Sequence, residues 1–550
     1  MLEISEIRCS LKHGATEAGC RESGVRAAMN LFGCTRSDIA EVQLHKKSVD
    51  ARKKQDIHFT LTVRVRLRDG ASEQGALQHV RPQDRRRVRA VEPQGPAFPQ
   101  PLGRHAKAFR RPVVVGAGCA GLFAALTLAE AGLEPLLIEQ GDDAARRTAA
   151  VQAFNATGAL DPASNIQFGL GGAGTFSDGK LSTGTKSPAH RLILQTFVEA
   201  GAPRDILWDA KPHIGSDILP AVVTSLVERI ERCGGEVRFR TRLTGIDRTA
   251  AGAVCGVTVE HGGREERLAA DRVILACGHS ARDVFSLLSE RGFALRRKTF
   301  AMGVRIEHLQ ADIDRALYGS AAGHPALGAA PYRLVAHLPN GRSVFSFCMC
   351  PGGEVVAAAS EPGGVVTNGA SLHARDGRNA NAALLVNVEP ADLPGDDPLA
   401  GVLLQRVCER SAFEHGGGGY RAPAQLVGDF LTARPSSSPG RIKPTYARGV
   451  TWGAIDPILP PHIIETLRLG LPVLDRKLHG YNAPEAVLTA PETRSSSPVT
   501  VVRDRESFVA EGASGLYPCG EGAGYAGGIM SAATDGIRVA EAIVAAYAEP

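Results

Sequence analysis

Residues 111–141, RPVVVGAGCAGLFAALTLAEAGLEPLLIEQG, decide how the chain is read. The β-branched run Val113 to Val115 leads into glycines at 116, 118 and 121, then an Ala/Leu-rich stretch, then a second apolar run that ends in Glu139. A nucleotide pyrophosphate needs backbone N–H groups at a helix N-terminus. It also needs one glycine for the tight turn, one for its close approach and one for helix–strand packing. Gly116, Gly118 and Gly121 have that full context, and Ala120 lies within the turn. The stretch therefore predicts a strand–helix–strand unit, with Glu139 placed to accept hydrogen bonds from both hydroxyls of an adenosine ribose and Gln140 beside it.

Working outward, Pro112 to Ala129 carries no charge over 18 residues, the length at which a membrane helix becomes a candidate. Glycines at fingerprint spacing and Glu130 directly after them favour a buried strand and helix, and no membrane association is expected. The chain of 550 residues allows two to four domains, and 43% hydrophobic with 22% charged residues is ordinary for a soluble globular protein. The net charge of +5 is unevenly spread, with 21 Lys/Arg against 12 Asp/Glu in residues 1–110. Eleven cysteines form no C-x-x-C pair and have no histidines at zinc-finger spacing, so they are read as reduced thiols, without a metal site. The start MLEISEIRCSLKHG lacks the basic and apolar regions of a signal peptide, and a cytoplasmic location is expected.

Residues 1 to about 70 read as a small α+β unit, because HFTLTVRVRL alternates apolar and polar residues with period two. The Pro-, Gly- and Arg-rich residues 70–110 read as an exposed linker. RVILACG suits a buried parallel strand, and strand-like runs recur from Phe300 to Gln425. The expected fold class is α/β: a discontinuous Rossmann-like domain, an inserted β-rich domain and a small N-terminal α+β domain. The boundaries expected are 1–105 for the basic N-terminal domain and linker, 106–298 and 426–550 for the nucleotide domain, and 299–425 for the inserted domain.

The G-x-G-x-x-G pattern recurs at Gly169-Gly171-Gly174 and at Gly522-Gly524-Gly527, in neither case with the full context. With these loops the chain resembles the flavoprotein superfamily that includes glutathione reductase. There an apolar strand ending in Ala-Thr-Gly passes beside the cofactor, and a late Gly-Asp or Gly-Glu meets the FAD ribitol. Ala276-Cys277-Gly278 and Gly520-Glu521 occupy those positions here. NIQFGLGGAGTFSDGKL, FAMGVRIEH, FCMCPGG, EPGGVVTNG and GEGAGYAGGI further resemble signatures of a family of largely uncharacterised bacterial FAD-dependent dehydrogenases, across nearly the whole chain.

The resemblance implies bound FAD and oxidoreductase chemistry. It places Gly116, Gly118 and Gly121 on the pyrophosphate, Glu139 on the adenosine ribose, Glu521 on the ribitol, Leu243 beside adenine, and the loop from Gly172 through Thr175 to Ser177 beside the flavin. The helix that follows Gly528 and Ile529 would aim its positive N-terminal end at the flavin pyrimidine. Because no second strand and acid follow it before Pro550, the third glycine loop reads as a flavin wall rather than an NAD site.

The reaction expected is hydride transfer between a small-molecule substrate and flavin N5. NAD(P)H as a transient electron donor is the alternative. His279 is a candidate proton donor, though a loop or FAD contact explains it more simply. Arg305 and Arg494 are candidates for an anionic substrate group, with structural ion pairs an equal reading. Cys348 and Cys350 read as buried thiols, because residues i and i+2 of an extended strand lack the geometry a disulfide prefers. The basic N-terminal segment raises RNA modification or redox sensing. Interleaved acids and the absence of stacking aromatics argue against nucleic acid as a partner.

Overall fold

A computed structural model describes residues 1–68, 72–92, 95, 97–102 and 110–548. Val113–Val115 and Leu136–Ile138 are apolar at every position and buried at every position, which suits strands covered on both faces. They form the middle of a five-stranded parallel sheet whose spatial order is Leu516–Pro518, Val273–Leu275, Val113–Val115, Leu136–Ile138, Glu236–Arg238. The helix Cys119–Glu130 crosses between the first two strands in sequence and packs against the C-terminal helix Ile529–Ala548 and the helix Leu219–Arg232. The expected Rossmann-like α/β domain is thus formed, and it draws its outer strand from the far end of the chain. A three-stranded antiparallel meander, Thr241–Arg248, Val254–His261 and Arg264–Ala269, is attached to it.

The inserted domain is built on a seven-stranded sheet in the order Val335–His337, Ser343–Cys350, Asn379–Val388, Phe300–Leu309, Val487–Glu492, Ala422–Leu426, Val450–Trp452. Its last three strands lie at or beyond the boundary expected at residue 425, so the insertion runs on to residue 492. The signal was missed because those strands are short and are separated by the helix Pro461–Asp475, which covers one face of the sheet. The chain leaves the nucleotide domain through Leu295–Arg297 and returns through Val499–Val501. These two segments pair with each other as an antiparallel ribbon.

The N-terminal domain is a four-stranded sheet, Ile39–Asp50, His58–Leu67, Leu2–Cys9, Val88–Ala90, covered by the helix Glu17–Phe32. Phe59, Leu61, Val63, Val65 and Leu67 are buried in alternation, as the period-two pattern requires. Much of the expected linker is structured. Ser72 caps a short helix, Glu73–His79, and Val88–Ala90 pairs with the first strand, because Ala76 and Val80 supply apolar surface for the same core. The expected boundary near residue 105 lies outside the described residues. Several basic residues of this domain are paired locally: Arg64 and Arg89 with Glu3, Arg52 with Asp50, Arg87 with Asp84. Among the described residues, no helix is long and apolar enough to cross a membrane.

One buried ionic cluster ties the inserted domain to the nucleotide domain. Arg282, at the start of the helix Arg282–Glu290, donates to both carboxylate oxygens of Glu409 at 2.7 and 2.8 Å. Arg494 donates to the same two oxygens at 2.7 and 3.0 Å, and Thr493 adds a hydroxyl at 2.7 Å. Burial raises the cost of the Glu409 charge, but the two guanidinium groups more than offset it and hold its carboxyl well below the usual range. Replacing Glu409 with Gln leaves Arg494 without its carboxylate partner and Arg282 with Glu361 alone, and we expect a loss of about 3–5 kcal/mol in denaturant unfolding. Because the folded carboxyl titrates below the unfolded one, the parent's extra stability should be present above pH ~4.3 and drain away as pH falls below it.

Candidate functional site

The parallel strands end on one side in Gly116, Glu139, Ala276 and the turn at Gly520, the edge where ligands of such sheets bind. A cavity of about 320 Å³ opens there, between the nucleotide sheet and one margin of the inserted sheet. Gly116 takes a left-handed φ of 99°, and a Cβ on it would meet the Ala276 carbonyl oxygen at 2.5 Å, so the turn admits glycine. Gly121 serves packing, since a Cβ there would sit 1.8 Å from the Gly116 oxygen. Gly118 is different. A Cβ on it would find only the Gly172 Cα at 3.9 Å, so protein packing leaves room at this position, and it faces the cavity.

Glu139 is buried at the cavity wall and its carboxylate fastens three turns. Oε2 accepts from Ala117 N–H at 2.8 Å, and Oε1 accepts from Gly141 N–H and Gly169 N–H, each at 2.9 Å. A carboxylate has about four acceptor sites. These three contacts leave about one acceptor site, on Oε2, without a protein partner. Arg147 complements it from below. Its fully buried guanidinium donates to the carbonyls of Asn165, Ile166, Gly169, Leu170 and Gly172 at 2.6–3.3 Å. Burial pushes that guanidinium down to about 9, against the attraction of Glu139. The second glycine loop is therefore held by one anion at its N–H side and one cation at its carbonyl side.

Most of the expected site residues converge on the cavity. Gly116, Gly118, Ala120, Glu139 and Gln140 line one end with Leu243. Gly172, Cys277, Gly278 and His279 line the middle, and Glu521, Gly528 and Ile529 form the wall before the C-terminal helix. Burial raises the Glu521 carboxyl to about 7, with Lys298 and the Gly528 amide pulling the other way. Burial also lowers His279 to about 4, helped by Arg494 and Arg282, so its imidazole is neutral at neutral pH. Its Nδ1 lies 3.0 Å from the Ser280 hydroxyl.

Four expected residues stand elsewhere. Gly121 is in the packing position described above, and Gly520 donates its N–H to Asp535 at 2.8 Å. Thr175 turns its hydroxyl into its own loop, donating to the Leu170 carbonyl at 3.1 Å. Arg305 is wholly buried in the inserted sheet. It donates to Glu492 at 3.0 and 3.3 Å, to Asn381 and to the Cys348 carbonyl at 3.0 Å. It is an ion-pair residue behind the cavity wall and is not placed to touch a substrate. Arg494 does line the cavity, where Glu409 and Ser360 take three of its five N–H donors.

The inserted domain contributes residues that sequence reading did not assign to a site: Cys348 and Glu492 from the seven-stranded sheet and Asn368 from a separate two-stranded pairing, Glu354–Ala357 with Thr367–Ala370; Lys180 also lines the cavity. Burial raises the Glu492 carboxyl to about 7 despite Arg305. Their motifs, FCMCPGG and PETRSSSP, were visible, but a strand's register on a distant sheet carries no local signal.

Residues 110–310 match the family described as pyridine nucleotide-disulphide oxidoreductase, and residues 299–495 match FAD-dependent protein, C-terminal domain-like. Residues 1–66 match a domain of unknown function. A Clostridium beijerinckii (strain ATCC 51743 / NCIMB 8052) protein described as an uncharacterized protein is 43% identical over 519 residues, 94% of each chain. The chain belongs to a family of FAD-dependent oxidoreductases. The flavoprotein is also similar to the solved 3-ketosteroid-delta4-(5alpha)-dehydrogenase from Rhodococcus jostii RHA1, at 13% identity and TM-score 0.35 over 82% of this chain and all of that one. A flavin-dependent brominase shows 12% identity and TM-score 0.36 over 80% of both chains.

Arg147 offers a direct test of how the cavity is held. Arg147→Met removes five donated hydrogen bonds from buried carbonyls, and we expect a stability loss of at least about 3 kcal/mol in urea unfolding.

Proposed function

We propose that this flavoprotein is a dehydrogenase that moves hydride between a small-molecule substrate and flavin N5 within the cavity shared by its two larger domains. The observation that supports this most strongly is the vacant approach at Gly118. It lies in a turn where its neighbours Gly116 and Gly121 are constrained by protein atoms and Gly118 is not. Gly278, Gly527 and Gly528 are open in the same way along the cavity, since a Cβ on any of them meets nothing within 4 Å. A long cofactor that touches backbone at each of these points fits that pattern.

In this reading Gly116, Gly118 and Ala120 hold the pyrophosphate with the N-terminal N–H groups of the helix Cys119–Glu130. Glu139 takes one ribose hydroxyl, Leu243 lies by adenine, and Glu521 meets the ribitol. Gly172, Cys277 and the N-terminal end of the helix Ile529–Ala548 border the ring. FAD supplies two-electron hydride chemistry when bound. The chain's own part is to exclude water and to hold protons. Glu492 and Glu521, both raised to about 7, can each hold or release one near neutral pH. His279, lowered to about 4, is an acceptor there rather than an acid.

Gly118→Val should abolish FAD retention, read as loss of flavin absorbance in the purified protein. The same variant should leave the apoprotein folded, with an unfolding free energy within about 2 kcal/mol of the parent, because a Cβ there meets only the Gly172 Cα at 3.9 Å and the remaining cost is that of valine at a helix N-cap. Undiminished flavin content would overturn the loop assignment. Anaerobic mixing of the holoenzyme with NADH or NADPH then tests the electron source, with flavin bleaching identifying a pyridine nucleotide donor.

The raised Glu521 carboxyl gives a second test. The bound flavin's spectrum should shift with a midpoint near pH 7, and Glu521→Gln should remove the transition. The folded carboxyl titrates above the unfolded value of ~4.3, so its contribution to stability is present below that value and lost as pH rises through about 7.

A further inference from the structure

Around one corner of the cavity, positive charge outnumbers negative. Asp178 is wholly buried and accepts from Arg375 at 2.9 and 2.5 Å, a bidentate pair that neutralises it. Lys180 Nζ stands 2.7 Å from the same carboxylate, so this network holds two cations and one anion. Beside it, Arg494 also lines the cavity and belongs to a network in which Arg282, Arg494 and Arg406 share Glu409 and Glu361, three cations to two anions. Arg305 and Glu492 balance each other. Each of the two larger networks thus carries one positive charge more than its own carboxylates cancel.

Of the cavity-lining cations Lys180 and Arg494, Lys180 is the accessible one, with 31% of its side chain exposed against 3% for Arg494. An ammonium has three N–H donors. One meets Asp178, one approaches the Cys350 sulfur at 3.9 Å, and the third has no protein partner among the described residues. Asn368 adds a neutral donor. Gly369 N–H occupies its Oδ1 at 2.8 Å, which leaves Nδ2 as the free group of a side chain that lines the cavity. Cys350 links the two positions. Lys180 is on one side of it and Arg305, at 3.6 Å, on the other, and Gly369 packs on Arg305 so closely that a Cβ would sit 1.9 Å from the guanidinium. Phe347 borders the same corner. The pairing of Ser343–Cys350 with Asn379–Val388 shifts register between Phe347 and Cys350, with a left-handed φ of 39° at Cys348, and Phe347 is 41% exposed at the cavity. Cys348 is accordingly half-buried at the wall, where a buried thiol on an extended strand was expected.

We propose that Lys180 and Asn368 form a clamp for a substrate carboxylate, and that the substrate of this cavity is a small organic acid whose apolar body lies against Phe347. The proposal rests on the flavin reading above, in which none of these three residues holds FAD, and it names the substrate class. A carboxylate offers one oxygen to the ammonium and one to the amide, and the surplus positive charge offsets the cost of taking it out of water. A neutral ligand of the same shape gains only the amide contact. A purely structural lysine explains the corner less well, because Arg375 already satisfies Asp178 and a second cation there adds a desolvation cost with no partner left to offset it.

The test titrates holoenzyme near neutral pH with benzoate and with benzamide, which share a shape and differ in charge, and reads binding by calorimetry and by perturbation of the flavin spectrum. We expect benzoate to bind at least about tenfold more tightly than benzamide and to weaken as salt is added. Lys180→Met should lower benzoate affinity by at least about tenfold and leave benzamide within about twofold, and Lys180→Arg should restore part of the loss. Equal affinity for the two probes in the parent, or no binding of benzoate, would overturn the clamp, and that comparison needs no variant to fold. Thermal melting checks the Met variant. If Lys180→Met binds benzoate as the parent does while its flavin potential falls, the charge serves the reduced flavin and the clamp is wrong. FAD-loaded protein indifferent to probe charge defeats the clamp alone. Protein that takes up no FAD defeats the flavin reading, and calorimetry on it still reports whether Lys180 holds benzoate.

Discussion

The cavity depends on one pairing of opposite charges across a loop that has almost no side chains of its own. Residues 169–174 contain four glycines, and little but backbone is available to hold them. Glu139 gathers N–H groups from three turns, and Arg147 gathers five carbonyls from the same region. A glycine-rich backbone is costly to order because it loses more conformational freedom than any other. Two buried ions with eight hydrogen bonds between them supply the compensating enthalpy without filling the space a ligand needs.

The same economy governs the far wall. The inserted domain faces the cavity with Cys348, Asn368 and Glu492, and its polar character is set from behind by Arg305 and at the side by Arg494. Arg305 is wholly buried and fixes Glu492, which does face the cavity, whereas Arg494 lines the cavity itself and is fixed by Glu409 and Ser360. Arg494 also shares Glu409 with Arg282, so the position of the roof over the nucleotide sheet is set by a carboxylate with two guanidinium partners. Such charge clusters contribute geometry more dependably than net stability.

The nucleotide domain was legible because each of its signals is local. Val113 to Val115, the three glycines and Glu139 lie within one short stretch, and the period-two run ending in Leu67 is equally self-contained. The inserted sheet was legible only in its first strands. Its later ones are too short for periodicity to speak, and their partners lie between 28 residues away, as with Ala422 and Val450, and 189 residues away, as with Gly303 and Glu492. The turn at Cys348 was illegible for a related reason. Its motif suggested an extended strand, and the bulge that turns it into the cavity is a property of its pairing with Asn379–Val388. Arg147 gave no signal at all, since nothing in its neighbours shows that five carbonyls will close around it.

The ribbon of Leu295–Arg297 and Val499–Val501 bears on how the molecule comes to exist. During synthesis the inserted domain is complete some twenty residues before Leu516–Pro518, the outer strand of the nucleotide sheet, has been made. Domains generally fold as units as the chain emerges. The insertion therefore closes first, and in closing it brings Val499 beside Arg297 and delivers the C-terminal segment to the edge of an unfinished sheet. The last strand and helix then add a missing edge to a half already assembled. A long-range contact between residues 275 and 518 is thereby converted, in effect, into a short one, with the inserted domain acting as the clasp that spares the chain most of the loop-closure entropy.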